Sequence, residues 1–258
     1  MHLIFIRHAD PDYKTDGLTA KGLQEALLLQ DRISSWKIED VYSSPMGRAL
    51  RTAEVALEKT GRKVSVLPWL REFNYHVTDP KTGNDKCPWD WLPRDYYSQP
   101  VYFDKDCWDT TSAMESGQIR EHKIEVCSGF DKLMLSYGYK RLGEKMPVYL
   151  CKEHISEEEE KIDTHLNAYQ KTLDDRNIVF FCHFGVMMQI IAHLTSISPV
   201  QLWQGFFAAP SSVTILGAEE RVGGEVVFRV QCVGDCSHLL NAKEPPSSSG
   251  FFGSAFGK

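Results

Sequence analysis

The first apolar run of the chain, Leu3-Ile4-Phe5-Ile6, ends at once in two polar residues, Arg7 and His8. A short run of this kind marks a strand buried on both faces. A second such run, from 177 to 182, ends in His183. Shorter runs at 38–42 and 63–67 predict two further strands, the first of them parallel and leading into Ser43-Ser44-Pro45. Helical periodicity separates them. From 20 to 33, Leu23, Ala26, Leu27, Gln30 and Ile33 mark one stripe, with Thr19 placed as N-cap. Pro45 suits the first turn of the next helix, which Ala49, Ala53, Val55 and Ala56 pack inward. Strands alternating with helices in this way predict an α/β fold with a parallel sheet.

After Leu70-Arg71-Glu72 the pattern changes. Residues 73–110 hold many aromatics, Pro and Asp, with no sustained period of 2 or 3.6. So many aromatics argue for order, and the segment is read as an irregular cap whose rings either touch substrate or form the cap's own core. Residues 119–137 return to a helical pattern carrying Val126, Phe130, Leu133, Met134 and Tyr137 on one face. Residues 139–142 and 146–150 predict a small hairpin around Gly143. Ser156-Glu157-Glu158-Glu159 predicts a capping box that opens a helix through Tyr169. The acidic run there is what a helix N-terminus favours by itself. A helix is expected over 187–194, and antiparallel strands over 213–216 and 226–233, joined by a turn at 219–224. The Pro, Ser and Gly of 243–258 predict a flexible tail.

Composition changes this picture little. At 258 residues and a net charge of −6, the chain lacks the basic excess of nucleic-acid or membrane-surface binders, so neither partner is expected. The opening apolar run is too short for a secretory h-region, and no stretch approaches a membrane span. The seven cysteines form an odd set without regular pairing, which predicts reduced thiols and a cytoplasmic setting. Cys232 and Cys236 do not have the spacing of a zinc knuckle. No metal and no cofactor is expected.

The chemistry is concentrated where strands end, which in open α/β sheets is where ligands bind. Arg7 offers a fork of donors suited to phosphate oxygens, and His8 a nitrogen able to attack phosphorus or move a proton. Taken alone, any strand can end in Arg-His. The pair is followed, however, by Ser44-Pro45-Met46-Gly47-Arg48-Ala49-Leu50-Arg51-Thr52-Ala53, by Leu70-Arg71-Glu72, and by Cys182-His183-Phe184-Gly185. In that order the four stretches resemble the histidine phosphatase superfamily, the phosphoglycerate-mutase-like family, over roughly residues 1–76 and 177–216. The departures are Ala9 in place of Gly and Phe184 between His183 and Gly185.

The resemblance implies a three-layer α/β/α sandwich with a mostly parallel sheet and an inserted cap at about 73–175. The whole would form a single domain over 1–242. It further implies that His8 is the nucleophile and that Arg7, Arg48 and His183 bind the phosphate. Glu72 is then the acid that protonates the leaving oxygen and the base that later activates water. Arg51 is the decoy beside Arg48, and His238 is read as structural. The implied activity is a metal-independent phosphomonoesterase acting on a small soluble phosphate ester through a phosphohistidine. The alternatives are a phosphoglycerate mutase and a phosphate-ester-binding regulatory module with little turnover. The residues from Asp10 to Lys14 differ from those of the familiar mutases, which favours the phosphatase. The oligomeric state is left open.

Overall fold

The structure, a computed structural model, describes residues 1–91, 93–151, 174–222 and 224–247. The helix expected from Ser156 to Tyr169 lies outside the described residues, as does the tail from 248 onward. The main sheet has eight strands: β1 (His2–Arg7), β2 (Asp40–Ser43), β3 (Ser65–Val66), β4 (Tyr139–Arg141), β5 (Tyr149–Cys151), β6 (Asn177–Cys182), β7 (Val213–Val222) and β8 (Glu225–Asp235). Their spatial order is β3-β2-β6-β1-β7-β8-β5-β4. Strands β3, β2, β6 and β1 pair in parallel, whereas β7, β8, β5 and β4 are added antiparallel. Only β7 and β5 run against the common direction. The expected hairpin at 139–150 therefore does not stand apart: it extends the sheet through β5 onto β8.

Four main helices cover the sheet: α1 (Ala20–Ile33), α2 (Gly47–Leu57), α3 (Ile119–Ser136) and α4 (Phe184–Thr195). The period of 2 in β1 explains the layers. Leu3 and Phe5 point to one core with Phe180, α3 and α4, while Ile4 and Ile6 point to another with Val179, Phe181, α1 and α2. A strand with helices on both faces has to be apolar at every position, and so β1 and β6 are. The result is the expected three-layer α/β/α arrangement.

Several details differ from the sequence pattern. The buried stripe of α1 is Glu25, Ala26, Leu29, Gln30 and Ile33, whereas Leu23 and Leu27 are exposed. Glu25 turns the helix because its carboxylate accepts the amides of Asp10 and Ser247. Pro45 precedes α2, whose N-cap is Met46. Strands β7 and β8 are longer than expected, since their outer halves pair with each other and with β5, where Tyr149, Val226 and Phe228 extend the core. In 73–110 the rings of Phe73, Trp91, Tyr96, Tyr102 and Trp108 are buried, and they do not form a separate core: they join the one that Leu3, Phe5 and Phe180 share with α3 and α4. The start of the tail is anchored, because Lys21 reaches Glu244 and the Pro245 carbonyl while Ser247 bonds to Asp10 and Glu25.

Candidate active site

The parallel register of β1 and β6 pairs Arg7 with Cys182, so His8 and His183 leave adjacent strands side by side. Their rings lie 5.0 Å apart, centroid to centroid. The ladder runs one step further, with the His8 amide on the Cys182 carbonyl at 2.9 Å. Nδ1 of His8 is 2.8 Å from the Ala9 carbonyl, which can only accept. The proton therefore sits on Nδ1 and the lone pair on Nε2. Burial, and then the charge of Arg7, push the His8 imidazole down to about 3, so it is neutral at ordinary pH. Arg7 is held by one Nη1 bond of 2.7 Å to the Ala208 carbonyl.

Strand β2 lies on the other side of β6 and delivers Ser44. Its Oγ accepts the Met46 amide at 3.2 Å and meets His183 Nε2 at 2.7 Å. The hydroxyl hydrogen of Ser44 is free to be donated to Nε2, and in that tautomer the His183 proton is on Nδ1. Burial and the neighbouring positive groups keep this second imidazole well below its ordinary value. In the first turn of α2, Arg48 turns back over the strand ends. Nη1 of Arg48 bonds to Asp16 at 2.5 Å, and the second oxygen of Asp16 takes the Gly47 amide at 2.7 Å. A Cβ on Gly47 would meet the Asp16 carbonyl at 2.4 Å, so only glycine lets the two backbones approach this closely. Thr52, one turn on, donates to the Arg48 carbonyl and accepts the Ala9 amide, tying α2 to the loop after His8.

Glu72 follows a turn of 3-10 helix, Pro68–Leu70, and is 6 % exposed. Its Oε1 accepts the amides of Phe73 (2.8 Å) and Val186 (3.2 Å), the latter at the start of α4. Oε2 is left to carry a proton. Burial raises this carboxyl above its ordinary range, against the opposing pull of the two amides, Arg7 and Arg48. A Cβ on Gly185 would meet Glu72 Oε1 and Trp89 Nε1, each at 2.6 Å, which makes this glycine a matter of space. The inserted Phe184 lies under the Arg7 guanidinium at 5.9 Å and edge-on to Trp89.

The five residues singled out from the sequence thus converge. Their donors are also unspent: Arg7 Nε, Arg48 Nε and His183 Nδ1 are buried with no hydrogen-bond partner among the described residues. Unpaired buried donors are uncommon, and three on one constellation have the chemistry to receive an anion. Arg51, by contrast, is 52 % exposed on its side chain and pairs with Glu54 at 3.0 Å. The carboxylate of Asp10 is taken up by Thr19 and Ser247. His238 bonds to Ser211, whose amide holds the His8 carbonyl, and this is the structural role expected of it. Asp16 and Trp89 carried no sequence signal, while Ser44 and Thr52 stood in the quoted stretch without a role assigned to them. Among the described residues no group of three or more His, Cys, Asp or Glu could hold a metal ion, and no helix is long and apolar enough to cross a membrane.

Comparison with known proteins agrees with this geometry. Residues 3–92 match the model of the histidine phosphatase superfamily (branch 1), a span that includes Arg7, His8, Arg48 and Glu72 but not His183. The probable phosphoglycerate mutase GpmB of Escherichia fergusonii is 29% identical over 90 residues, covering 31% of this chain and 42% of that protein. Its counterpart in Erwinia tasmaniensis is 38% identical over 64 residues, covering 25% and 30%. The alignments thus span less than half the length of these curated relatives. Among solved structures, a phosphoserine phosphatase of Entamoeba histolytica bound to phosphoserine superimposes with a TM-score of 0.55 at 17% identity, over 92% of this chain and 98% of that one. The α-ribazole phosphatase of Shigella flexneri gives 0.54 at 19% identity, over 92% and 97%. At such identities the likeness is one of fold.

Proposed function

Because residues 3–92 match the model of the histidine phosphatase superfamily, we propose that the chain is a metal-independent phosphomonoesterase of that family, hydrolysing a small soluble phosphate ester through a phosphohistidine on His8. The observation that carries this reading is the set of buried, unpartnered donors on Arg7, Arg48 and His183 around a neutral His8.

Phosphoryl transfer through a loose transition state needs charge stabilisation and in-line positioning more than covalent help. The two guanidinium groups and the His183 Nδ1–H bind the three equatorial oxygens. The lone pair on His8 Nε2 attacks phosphorus while the bond to the ester oxygen breaks, and the proton on Glu72 Oε2 goes to that oxygen, releasing an alcohol. Water then attacks the phosphohistidine, the resulting Glu72 carboxylate takes its proton, and orthophosphate leaves with His8 restored. A cytoplasmic setting is proposed with this chemistry, in which the seven unbridged thiols would stay reduced.

A panel of phosphorylated metabolites, assayed with purified protein and a chelator present, tests this reading. Release of orthophosphate from at least one ester is expected, undiminished by the chelator. Turnover lost on chelation and restored by magnesium or zinc would overturn the metal-free mechanism. The names of the curated relatives favour a second reading, phosphoglycerate mutase. It requires the phosphohistidine to outlive exchange of the bound glycerate, and so predicts activity that depends on added bisphosphoglycerate.

A further inference from the structure

In the mechanism above Glu72 has to exist in two states, neutral while it is the acid and charged while it is the base. A carboxylate in a site this closed needs donors to be tolerated. Its Oε1 has two, the Phe73 and Val186 amides, and no donor to Oε2 is found among the described residues. The charged and titratable groups around it are few. Arg7 and Arg48 favour the charged form, and the thiols of Cys87 and Cys182 face it and are held neutral by burial. Once phosphohistidine has formed, both arginines are occupied by the phosphoryl oxygens. A further donor is needed at that stage.

Trp89 supplies the candidate. It sits in the turn after Cys87, with its carbonyl held by Gln204 at 3.3 Å and its ring edge-on to Phe184. Its indole N–H is buried and has no partner among the described residues, an unfavourable state for a polar group if it is never satisfied. That nitrogen and Glu72 Oε1 converge on the one spot that Gly185 leaves open, each 2.6 Å from where a Cβ would be. They are near neighbours not yet bonded. We propose that Trp89 is a positioning residue for Glu72, its Nε1–H turning onto the carboxylate after the proton has gone to the leaving group and holding it charged for hydrolysis of the phosphohistidine.

This inference rests on the function proposed above, and Trp89→Phe tests it by removing the N–H while keeping a ring. With a radiolabelled alkyl phosphate, rapid quenching separates formation of the phosphoenzyme from its hydrolysis. In the variant, formation should stay within about twofold of wild type, while hydrolysis slows roughly tenfold and phosphoenzyme accumulates. Losing a donor to the carboxylate favours the neutral acid, so the alkaline midpoint of the formation step should move up in pH by about one. Equal slowing of both steps, or no change in either with an unmoved midpoint, would overturn the role of Trp89. A wild-type protein that turns over esters without forming phosphoenzyme would instead bring down the underlying mechanism, and this inference with it.

Discussion

Arg48 and Arg51 stand three residues apart on α2, yet one is 5 % exposed with an orphaned Nε and the other lies on the solvent side, paired with Glu54. Arg48→Ala should lower kcat/KM by roughly a hundredfold or more, as removal of a transition-state charge donor does, and Arg51→Ala should change it less than about threefold. Steady-state kinetics on both variants check this, and reversed effects would place the anion seat elsewhere. The His8 imidazole, held near 3 by burial and Arg7, should show no protonation between pH 8 and 5 in a histidine NMR titration. A midpoint near 6.5 would mean that the site is open to water. Arg7, His8, Arg48, Glu72 and His183 were singled out because the four stretches that carry them resemble one family in order, and the structure brings these five side chains together. Ser44 and Thr52 stood in the quoted stretch without a role assigned, and Asp16 and Trp89 were not singled out at all. A loop carboxylate and one indole among many acquire a role only through the atom they face, and nothing along the chain records that.

At the scale of elements, the site depends on how α2 meets the loops after β1. The Thr19 cap made the start of α1 readable to the residue, because a side-chain cap is a local signal. The face of α1 was misread, since Glu25 is buried by hydrogen bonds to Asp10 and Ser247 that no periodicity reveals. The hairpin strands β4 and β5 were seen, but their docking onto β8 is a long-range pairing without a local mark. Thr52→Ala removes the acceptor of the Ala9 amide and leaves it buried and unpaired. It should therefore destabilise the chain by about 1–3 kcal/mol, read from urea unfolding. Gly47→Ala should cost more in activity than in stability. Its methyl group would push Asp16 off both the helix N-terminus and Arg48, raising KM for the ester. A Gly47→Ala protein with unchanged KM would show that Asp16 does not hold Arg48 in place for the phosphate.

At the scale of the whole molecule, the buried titratable groups set opposite limits on stability. The imidazoles of His8 (about 3), His238 (about 4) and His183 (well below 6.5) are neutral when folded and free to protonate when unfolded. Stability that is present above 6.5 is therefore lost as pH falls toward their folded values. Glu25, pushed up to about 7 by burial, acts the other way, its contribution being full below 4.5 and lost as pH rises through 7. Three imidazoles outweigh one carboxyl, so thermal melts across pH 3 to 9 should show stability climbing from acid pH to about 7 and levelling off above it, and stability rising as pH falls below 6.5 would contradict the buried histidines. What joins these parts into one claim is a phosphoryl group on His8, and one measurement meets it directly. Protein quenched in alkali within milliseconds of mixing with a ³²P-labelled alkyl phosphate should carry label that survives base, is released by acid, and maps to the peptide containing Arg7 and His8. The label should be missing in His8→Ala. Turnover of the ester with no label on that peptide, or label persisting in His8→Ala, would contradict the account.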